Sequence, residues 1–330
     1  MPRYGFNLQW LYSQRLAPAG PDEKVLDAMA AWGFDFLRLP TDYRLYCVDG
    51  DPARPNDEVL GLIDKVLAAC RERDIHLSLT MHRAPGYIIT GWETEPYNLW
   101  ADQSAQDAFV TLWERFAQRY ADVPATALSF DLVNEPPAIG LRGFTRDAHE
   151  AVIRRTVGAI RALSPDRAIV IDGLDGGNLA MPELADLGVT QSVRGYQPMS
   201  VSHFEAPWWP GSQGLAAPTY PCEYDGVWWD REGLRTFYAP WRELEAKGVQ
   251  VHVGEFGCYE HTPDDVARAW FADLFAVFAE FGWGYALWEF EGSFGIVGHH
   301  RPGAVFEELN GVRVDRNLLE LMQSTRVEHH

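Results

Sequence analysis

Gln250-Val251-His252-Val253-Gly254 is a short β-rich run, and Gly284-Tyr285-Ala286-Leu287 is a second one. An amphipathic stretch over residues 263–281 lies between them, with apolar residues at helical spacing. A strand, a helix and a second strand in this order form a unit whose two strands pair in parallel. This part of the chain therefore predicts a parallel sheet with a helix packed against it.

The same alternation of strand and helix runs through the whole chain. We predict eight strands, at residues 5–8, 34–39, 76–81, 128–133, 168–171, 193–202, 250–254 and 284–287. The predicted helices are residues 22–32, 57–73, 104–120, 145–163, 182–187, 233–247, 263–281 and 316–323. Eight repeats without a break in composition predict an α/β fold, a single (β/α)8 TIM barrel. A doubly wound sheet usually has a glycine-rich turn after its first strand, and Leu8-Gln9-Trp10-Leu11-Tyr12 stands there instead.

The prediction assigns residues 1–326 to one barrel domain with long loops after strands 3 and 6. Val327-Glu328-His329-His330 resembles the beginning of a vector-encoded histidine tag and is left out of the fold. The first residues lack the pattern of a signal peptide, and no apolar run approaches the roughly 20 residues of a membrane span. A cytoplasmic protein and a secreted one whose leader has been removed both fit, so localisation stays open.

The 330 residues carry a formal net charge of −19 at pH 7. Nucleic acids and anionic membranes attract clustered lysine and arginine, so neither is expected as a partner. A neutral substrate fits this charge better. The four cysteines are scattered without metal-ligand spacing and are interpreted as buried thiols, one disulfide being the alternative: Cys47, Cys70, Cys222 and Cys258. We expect a monomer with no cofactor and no metal.

Two glutamates end runs that otherwise have the composition of buried strands. Glu135 follows Phe130-Asp131-Leu132-Val133-Asn134, and Glu255 follows residues 250–254. The active site of a (β/α)8 barrel lies at the C-terminal ends of its strands. A carboxylate there is costly to desolvate unless it is paired or has a task. Glycosidic cleavage needs two carboxyl groups, about 5 Å apart in retaining enzymes, so Glu135 and Glu255 are predicted to be catalytic.

Six segments resemble, in the right order, the motifs of glycoside hydrolase family 5, the cellulase-like family. They are Phe36-Leu37-Arg38-Leu39-Pro40, Met81-His82-Arg83-Ala84-Pro85-Gly86, Asn134-Glu135-Pro136, Gly254-Glu255-Phe256-Gly257, Trp288 and Gly292-Ser293-Phe294-Gly295-Ile296. The resemblance covers essentially the whole chain. It implies a retaining β-glycosidase on a (β/α)8 barrel.

The resemblance also implies roles for the residues around the two glutamates. Glu135 would be the acid and base, and Glu255 the nucleophile. Arg38 would keep the nucleophile ionised through paired hydrogen bonds. Asn134 would hold the hydroxyl next to the anomeric carbon. A structural ion pair is the alternative for Arg38.

Three further residues complete the predicted site. His82 and His203 would position substrate or the carboxylates, and Trp288 would form the floor of the −1 sugar site. Ordinary structural roles are the alternative for all three. One departure concerns the family's tyrosine, which stands two residues after the histidine of strand six, where this chain has Glu205. Two alternatives are open, a different register of the strand or another group in that role, such as Tyr196 or a loop tyrosine, and the role is left unassigned.

The segments after strands 3 and 6 are rich in aromatic residues. Residues 87–100 and 205–230 contain Trp92, Tyr97, Trp100, Trp208-Trp209 and Trp228-Trp229. Exposed aromatic faces suit the apolar faces of sugar rings, and packing within the loops is the alternative. Two such loops would narrow the cleft, which favours short oligosaccharides or chain ends over crystalline polymer.

The resemblance implies a β-linked substrate, most often β-1,4-glucan or β-mannan. Endo and exo cleavage both stay open, an exo-acting β-glucosidase or β-mannosidase included. A non-catalytic carbohydrate-binding barrel would keep the tryptophans but would not need the pair of glutamates. A metal-dependent hydrolase would need clustered ligands, whereas His82 and His203 are the only histidines predicted at strand ends.

Overall fold

The computed structural model describes residues 2–90 and 95–326. Its eight main strands are β1 (Tyr4–Asn7), β2 (Phe36–Asp42), β3 (His76–Ala84), β4 (Leu128–Asp131), β5 (Ala168–Asp172), β6 (Thr190–Gly195), β7 (Val251–Phe256) and β8 (Gly284–Leu287). Each pairs in parallel with the next, and β1 pairs with both β2 and β8, so the sheet closes on itself. The predicted (β/α)8 barrel is confirmed. Residues 327–330 and Trp92 lie outside the described residues.

Helices alternate with these strands along the chain. They are α1 (Glu23–Ala31), α2 (Asp57–Arg71), α3 (Gln103–Arg119), α4 (Arg146–Leu163), α5 (Arg231–Phe237), α6 (Ala239–Glu245), α7 (Asp264–Phe281) and α8 (Arg316–Ser324). The predicted helix 233–247 is two helices, because Pro240 lacks the N–H that would continue α5. A 3-10 helix, Pro182–Leu187, lies between β5 and β6.

Shorter elements lie in the connections. Two antiparallel hairpins pair Cys222–Tyr224 with Val227–Trp229 and Phe306–Leu309 with Val312–Asp315. The others are the strand Tyr87–Ile88, the helices Leu174–Gly177 and Met199–Ser202, and the 3-10 helices Val48–Gly50, Leu141–Gly143 and Pro210–Ser212. The long loops predicted after strands 3 and 6 are present, between β3 and α3 and between β6 and α5.

The alternation of side chains along each strand decides what faces the inside of the barrel. Leu37 and Leu39 of β2 belong to the hydrophobic core, whereas Arg38 between them hydrogen-bonds to Asp131. Thr80 of β3 also donates to Asp131, at 3.1 Å. Since successive side chains point to opposite faces of a strand, the apolar set packs against the helices. The polar set fills the barrel interior below the mouth.

The predicted bounds of strand six are wrong. The sequence predicted residues 193–202, but β6 is Thr190–Gly195 and the short helix Met199–Ser202 follows it. Pro198 has no N–H to donate to a neighbouring strand, so it cannot extend the pairing. His203 therefore does not stand at the end of a barrel strand.

The four cysteines, all of them among the described residues, form no disulfide bond. All four cysteines have free thiols, and Cys47, Cys70 and Cys258 are buried. Within residues 2–90 and 95–326, no three His, Cys, Asp or Glu side chains are grouped so that they could hold a metal ion. In the same residues, none of the helices is both long and apolar enough to cross a membrane.

Candidate active site

Arg38 lies at the centre of a buried polar cluster at the C-terminal end of the barrel. Its Nε donates to Asp131 Oδ2 at 2.7 Å, and its Nη1 donates to Glu255 Oε1 at 2.5 Å. Nη1 also donates to Asn7 Oδ1 at 3.0 Å. Arg38 is only 1% exposed, so the carboxylates supply the compensation that a buried charge needs. The structure thus brings Arg38 and Glu255 together, as predicted.

Arg194 is a second buried arginine in this cluster, and the sequence analysis did not single it out. It lies on β6 and is fully buried. Its Nε donates to Glu135 Oε1 at 2.8 Å, and its Nη2 donates to Glu255 Oε1 at 3.3 Å. One guanidinium therefore connects the two glutamates that were predicted to be catalytic.

Two glycines make room for Arg194. A Cβ on Gly254 of β7 would lie 2.9 Å from Arg194 Nη1 and 2.3 Å from Ser192 Oγ. A Cβ on Gly177 would lie 2.3 Å from Arg194 Cγ. Because a larger residue at either position would collide with its neighbours, both glycines are needed for this placement of the arginine.

Four carboxyl groups form ion pairs with the guanidinium groups of Arg38 and Arg194. The additional two are Asp131 and Asp172, each 1% exposed. Burial raises the pKa of Asp172, but Arg194 and Arg38 outweigh it and hold that pKa below its usual value. Burial and the nearby Asp172 raise the pKa of Asp131 to about 7. Near neutral pH the cluster therefore carries fewer negative charges than it has carboxyl groups.

Glu255 is 3% exposed, and its carboxylate accepts hydrogen bonds from three side chains. Arg38 and Arg194 donate to Oε1, and Tyr196 OH donates to Oε2 at 3.1 Å. The pairing of β7 with β6 shifts between Val253 and Glu255, a bulge that re-aims the side chain. Burial and the Glu255 carboxylate raise the pKa of Tyr196 well above its usual value. The hydroxyl of Tyr196 therefore keeps its proton and stays a donor.

Glu135 follows β4, and its side chain is 17% exposed. Its φ of 47° lies in a region that residues other than glycine rarely adopt. Its N–H donates to Asp172 Oδ2 at 3.0 Å, and its carbonyl accepts from Tyr87 OH at 2.5 Å. Burial and Glu255 raise the pKa of Glu135 to about 7, although Arg194 opposes them. A carboxyl group that holds its proton near neutral pH suits a proton donor.

Asn134 and His82 each present a buried nitrogen to the site. Asn134 Oδ1 accepts from Nη2 of Arg38 and Nη2 of Arg194, both at 3.0 Å. Its Nδ2 has no hydrogen-bond partner among residues 2–90 and 95–326, and the same holds for His82 Nδ1. Burial lowers the pKa of His82 well below its usual value, so the ring is neutral. Unpaired buried nitrogens are costly, and a bound ligand would supply their partners.

Trp288, His82 and Tyr12 form an aromatic wall beside the cluster. Trp288 follows β8, and its ring stacks on His82 with centroids 5.5 Å apart and an angle of 20°. Tyr12, which was not predicted, lies edge-on to both rings, 4.8 Å from His82 and 5.5 Å from Trp288. The guanidinium of Arg83 lies 4.4 Å from the centre of the Tyr12 ring. Such a wall offers a flat apolar surface to one face of a sugar ring.

His203 lies in a different place from the one predicted. Its Nδ1 hydrogen-bonds with Ser202 Oγ at 2.8 Å, and its ring packs edge-on against Tyr196 at 5.1 Å. In the described part of the chain, no hydrogen bond joins it to either glutamate. Arg194 and Tyr196 have the two-residue spacing of the family's histidine and tyrosine. Tyr196, the alternative to Glu205 named in the sequence analysis, contacts Glu255, and Arg194 stands two residues before it.

The aromatic residues of the two long loops differ in exposure. Trp208 is 43% exposed and lies edge-on to Tyr259 at 5.0 Å, beside Phe294. Trp100 is 7% exposed and packs edge-on against Tyr87 at 5.4 Å. Trp100 is therefore part of the core and is not available to a sugar, whereas Trp208 is.

Four residues of this site were not predicted, although the sequence contains signals for three of them. Asp131 and Asp172 are the last residues of β4 and β5, a place where polar residues at this end of a barrel are expected to act. For Arg194 the signal is Tyr196, two residues later. For Tyr12 the sequence offers none, because it lies in an irregular segment after β1.

Comparisons with known proteins show the family of the chain. The family model for cellulase (glycosyl hydrolase family 5) matches residues 3–293. Endoglucanase C from Acetivibrio thermocellus is 26% identical over 297 residues, covering 82% of this chain and 83% of that protein. Cellodextrinase A from Ruminococcus flavefaciens is 25% identical over 284 residues, covering 84% of this chain and 81% of that protein.

A solved structure is similar to the chain over nearly its whole length. The crystal structure of a glycoside hydrolase matches the fold with a TM-score of 0.96 and 52% sequence identity. The match covers 99% of this chain and 100% of that one. With the family model spanning most of the sequence, the chain is an O-glycosyl hydrolase that belongs to the cellulase family, glycosyl hydrolase family 5.

Proposed function

We propose that the protein is a retaining β-glycosidase that cleaves β-linked glucan or gluco-oligosaccharides, β-1,4 linkages above all, through a covalent glycosyl-enzyme. The observation that carries this proposal is Arg194, which donates to both Glu135 and Glu255. Retaining enzymes need carboxyl groups about 5 Å apart, and inverting enzymes need about 6.5–9.5 Å to admit a water. Two carboxylates bound by one guanidinium favour the shorter separation.

In the first step Glu255 attacks the anomeric carbon while Glu135 gives its proton to the glycosidic oxygen. The bond between that carbon and the leaving oxygen breaks, and an ester bond to Glu255 forms. The attacking carboxylate must be ionised. Hydrogen bonds from Arg38, Arg194 and the hydroxyl of Tyr196 hold this carboxylate in place.

In the second step Glu135 takes a proton from water, whose oxygen attacks the anomeric carbon and frees Glu255. The ester has no negative charge, so the repulsion that helped to raise the pKa of Glu135 is gone. Arg194 still lies beside Glu135 and favours its ionised form. We infer that Arg194 is a positioning residue that helps Glu135 change from acid to base.

The other residues would bind and orient the sugar. Asn134 Nδ2 is available to donate to the hydroxyl next to the anomeric carbon, a contact that strengthens in the transition state. His82 Nδ1 is available to a second polar group of the substrate. Trp288 would form the floor of the −1 site. His203 would act through Tyr196, whose ring it contacts.

The proposal that glucan is the substrate rests on the relatives as well as on the site. The names Endoglucanase C and Cellodextrinase A denote glucan-cleaving enzymes, and both proteins align with most of this chain. Trp208 at the mouth gives a further aromatic face to a short oligosaccharide. Glucose and mannose differ in the orientation of one hydroxyl, so β-mannan is the competing substrate.

Product analysis of cello- and manno-oligosaccharide digests tests the substrate. We expect cleavage of the cello series, and the product lengths distinguish endo from exo action. The Glu255→Gln variant, run in parallel, controls for a contaminating glycosidase. Cleavage of the manno series alone would replace glucan by mannan, and cleavage of neither series would contradict the proposed substrate class.

The pH dependence of kcat/KM is expected to show an alkaline limb near pH 7. Glu135 must carry a proton in the first step, and burial and Glu255 raise its pKa to about 7. Activity is therefore present below this pH and lost above it. An aryl glycoside with a very acidic leaving group needs no proton from Glu135, so its limb should be weak. An equally steep limb for this substrate and for a cello-oligosaccharide would contradict the assignment of Glu135 as the acid.

A further inference from the structure

The hairpin after β6 carries an apolar surface that the proposed mechanism does not use. Val227 is 44% exposed and Trp228 is 58% exposed, whereas Trp229 next to them is 6% exposed. Trp228 lines a groove of about 480 Å³ together with Phe237 and Thr236 of α5. No lining residue of the groove belongs to the active-site cluster. We refer to this groove and the exposed ring of Trp228 as the Trp228 surface.

The exposed ring of Trp228 is hydrogen-bonded near the start of α5. Its Nε1 donates to Asp230 Oδ2 at 3.0 Å, and Asp230 Oδ1 accepts from the N–H of Gly233 at the start of α5. A Cβ on Gly233 would lie 2.3 Å from the carbonyl oxygen of Trp228, so the hairpin packs closely against the helix. A ring that is already hydrogen-bonded loses less entropy when a ligand binds to it than a free one does.

Trp229 and Tyr220 attach the hairpin to the barrel. Trp229 Nε1 donates to the carbonyl of Tyr224 at 3.2 Å, and its ring packs against Phe237. Tyr220 OH donates to Asp273 of α7 at 3.1 Å. Since the inner tryptophan anchors the hairpin, the outer one is free to present its face to a ligand.

The polar side chains around Trp228 are mainly acidic, although one of them, Glu232, forms an ion pair with Arg235. Glu223 lies directly opposite Trp228 in the hairpin, so the two side chains share a face. Asp230 and Glu232 line the groove, and Thr236 adds a hydroxyl. Carboxylates accept hydrogen bonds from hydroxyl groups and repel anions, so they suit a neutral ligand rich in hydroxyls. A pyranose has apolar C–H faces and hydroxyl groups around its edge. A flat apolar ring can stack on such a face while the neighbouring carboxylates accept hydrogen bonds from the hydroxyl groups.

The size of the groove favours a small ligand over a protein. Small-molecule sites have volumes of about 300–1,000 Å³, whereas a stable protein interface takes about 800 Å² from each partner. We propose that the Trp228 surface binds one or two sugar rings of a neutral β-linked polysaccharide, outside the catalytic site. The proposal rests on a carbohydrate substrate, and it does not depend on which glycan the active site cleaves.

Affinity electrophoresis through gels that contain soluble mixed-linkage β-glucan or β-mannan tests this proposal. The full chain carries Glu255→Gln in all samples, so that the polymer is not degraded during the run. Adding Trp228→Ala is expected to weaken retardation roughly threefold or more, the scale of one aromatic contact. Trp228→Phe should retain part of the retardation.

Trp208→Ala is the matched control, because Trp208 is an exposed tryptophan of the same loop but lies beside Phe294, which clusters with Tyr196 and Trp288 of the active site. With Glu255 intact, Trp228→Ala should leave kcat/KM for an aryl cellobioside unchanged, and Trp208→Ala should alter cleavage of longer oligosaccharides. Equal retardation of the parent and the Trp228→Ala protein in both gels would overturn the proposal. So would a dimer of the parent, seen by sedimentation, that Trp228→Ala abolishes. Failure of the proposed function shows differently, as a wild-type protein that hydrolyses no β-glycan.

Discussion

Replacing Glu255 by glutamine is expected to lower kcat on β-glycosides by roughly 10⁵-fold, since removing a nucleophile removes the covalent pathway. Glutamine has nearly the same shape, but it cannot attack the anomeric carbon as a carboxylate does. Initial rates on an aryl cellobioside and on cellotetraose measure the loss. Glu255 contacts Arg38, Arg194 and Tyr196, so thermal unfolding of the variant must be measured beside its activity.

Glu205→Gln serves as the control for this loss. Glu205 is an exposed acid in the loop after β6, and its Oε2 lies 3.0 Å from His261 Nδ1. Its replacement should leave kcat within roughly twofold of the wild type, as for most surface substitutions. A folded Glu255→Gln protein that keeps a tenth or more of the wild-type kcat would contradict the assignment of Glu255 as nucleophile.

Replacing Arg194 by glutamine is expected to cost roughly 10³-fold in kcat/KM, because it removes a charged donor from both catalytic carboxyl groups. The pH profile of the remaining activity should change as well. Arg194 lowers the pKa of Glu135 against burial and Glu255, which raise it. Without the arginine that pKa rises, so the alkaline limb of kcat/KM moves to higher pH. Arg194→Lys keeps the positive charge and should return the limb toward its wild-type position.

A loss of stability alone would not move the alkaline limb of kcat/KM. A variant of a second buried arginine, Arg167, serves as the control for this. Removing Arg194 leaves Asp172 without one of its partners, which is expected to destabilise the fold by about 3–5 kcal/mol. Arg167 is also buried, but it donates to the backbone carbonyls of Leu128 and Tyr120. Arg167→Gln should destabilise the fold and leave the limb in place. If Arg194→Gln also leaves the limb in place, its role is structural only.

The strand ends show how much of the site the sequence could predict. Glu135, Glu255 and Arg38 follow or interrupt apolar runs, and a closed parallel barrel brings such positions to one mouth. Their proximity was therefore predictable from the order of strands and helices. The hydrogen bonds of Arg194 were not, because they depend on a bulge at Gly254 and on where β6 stops.

The loops were less predictable than the barrel. Trp100 and Trp228 both stand in segments rich in polar residues and glycine or proline, yet one is 7% exposed and the other 58%. Their exposure depends on tertiary packing, which the local sequence does not show. Trp100 packs against Tyr87, whereas Trp228 lies on the outer face of a hairpin. His203 was misplaced for a related reason. The sequence predicted one strand through Ser202, whereas β6 ends at Gly195 and the short helix Met199–Ser202 precedes His203.

Mass spectrometry of a trapped intermediate tests the central proposal most directly. The protein would be incubated with an activated 2-deoxy-2-fluoro β-glycoside of the cleaved series, whose electron-withdrawing fluorine slows loss of the glycosyl group. A retaining mechanism through Glu255 predicts a mass increase of one glycosyl unit, located on the peptide that contains Glu255 and absent from Glu255→Gln. An adduct on another residue, or turnover without any adduct and with inverted product configuration, would contradict it.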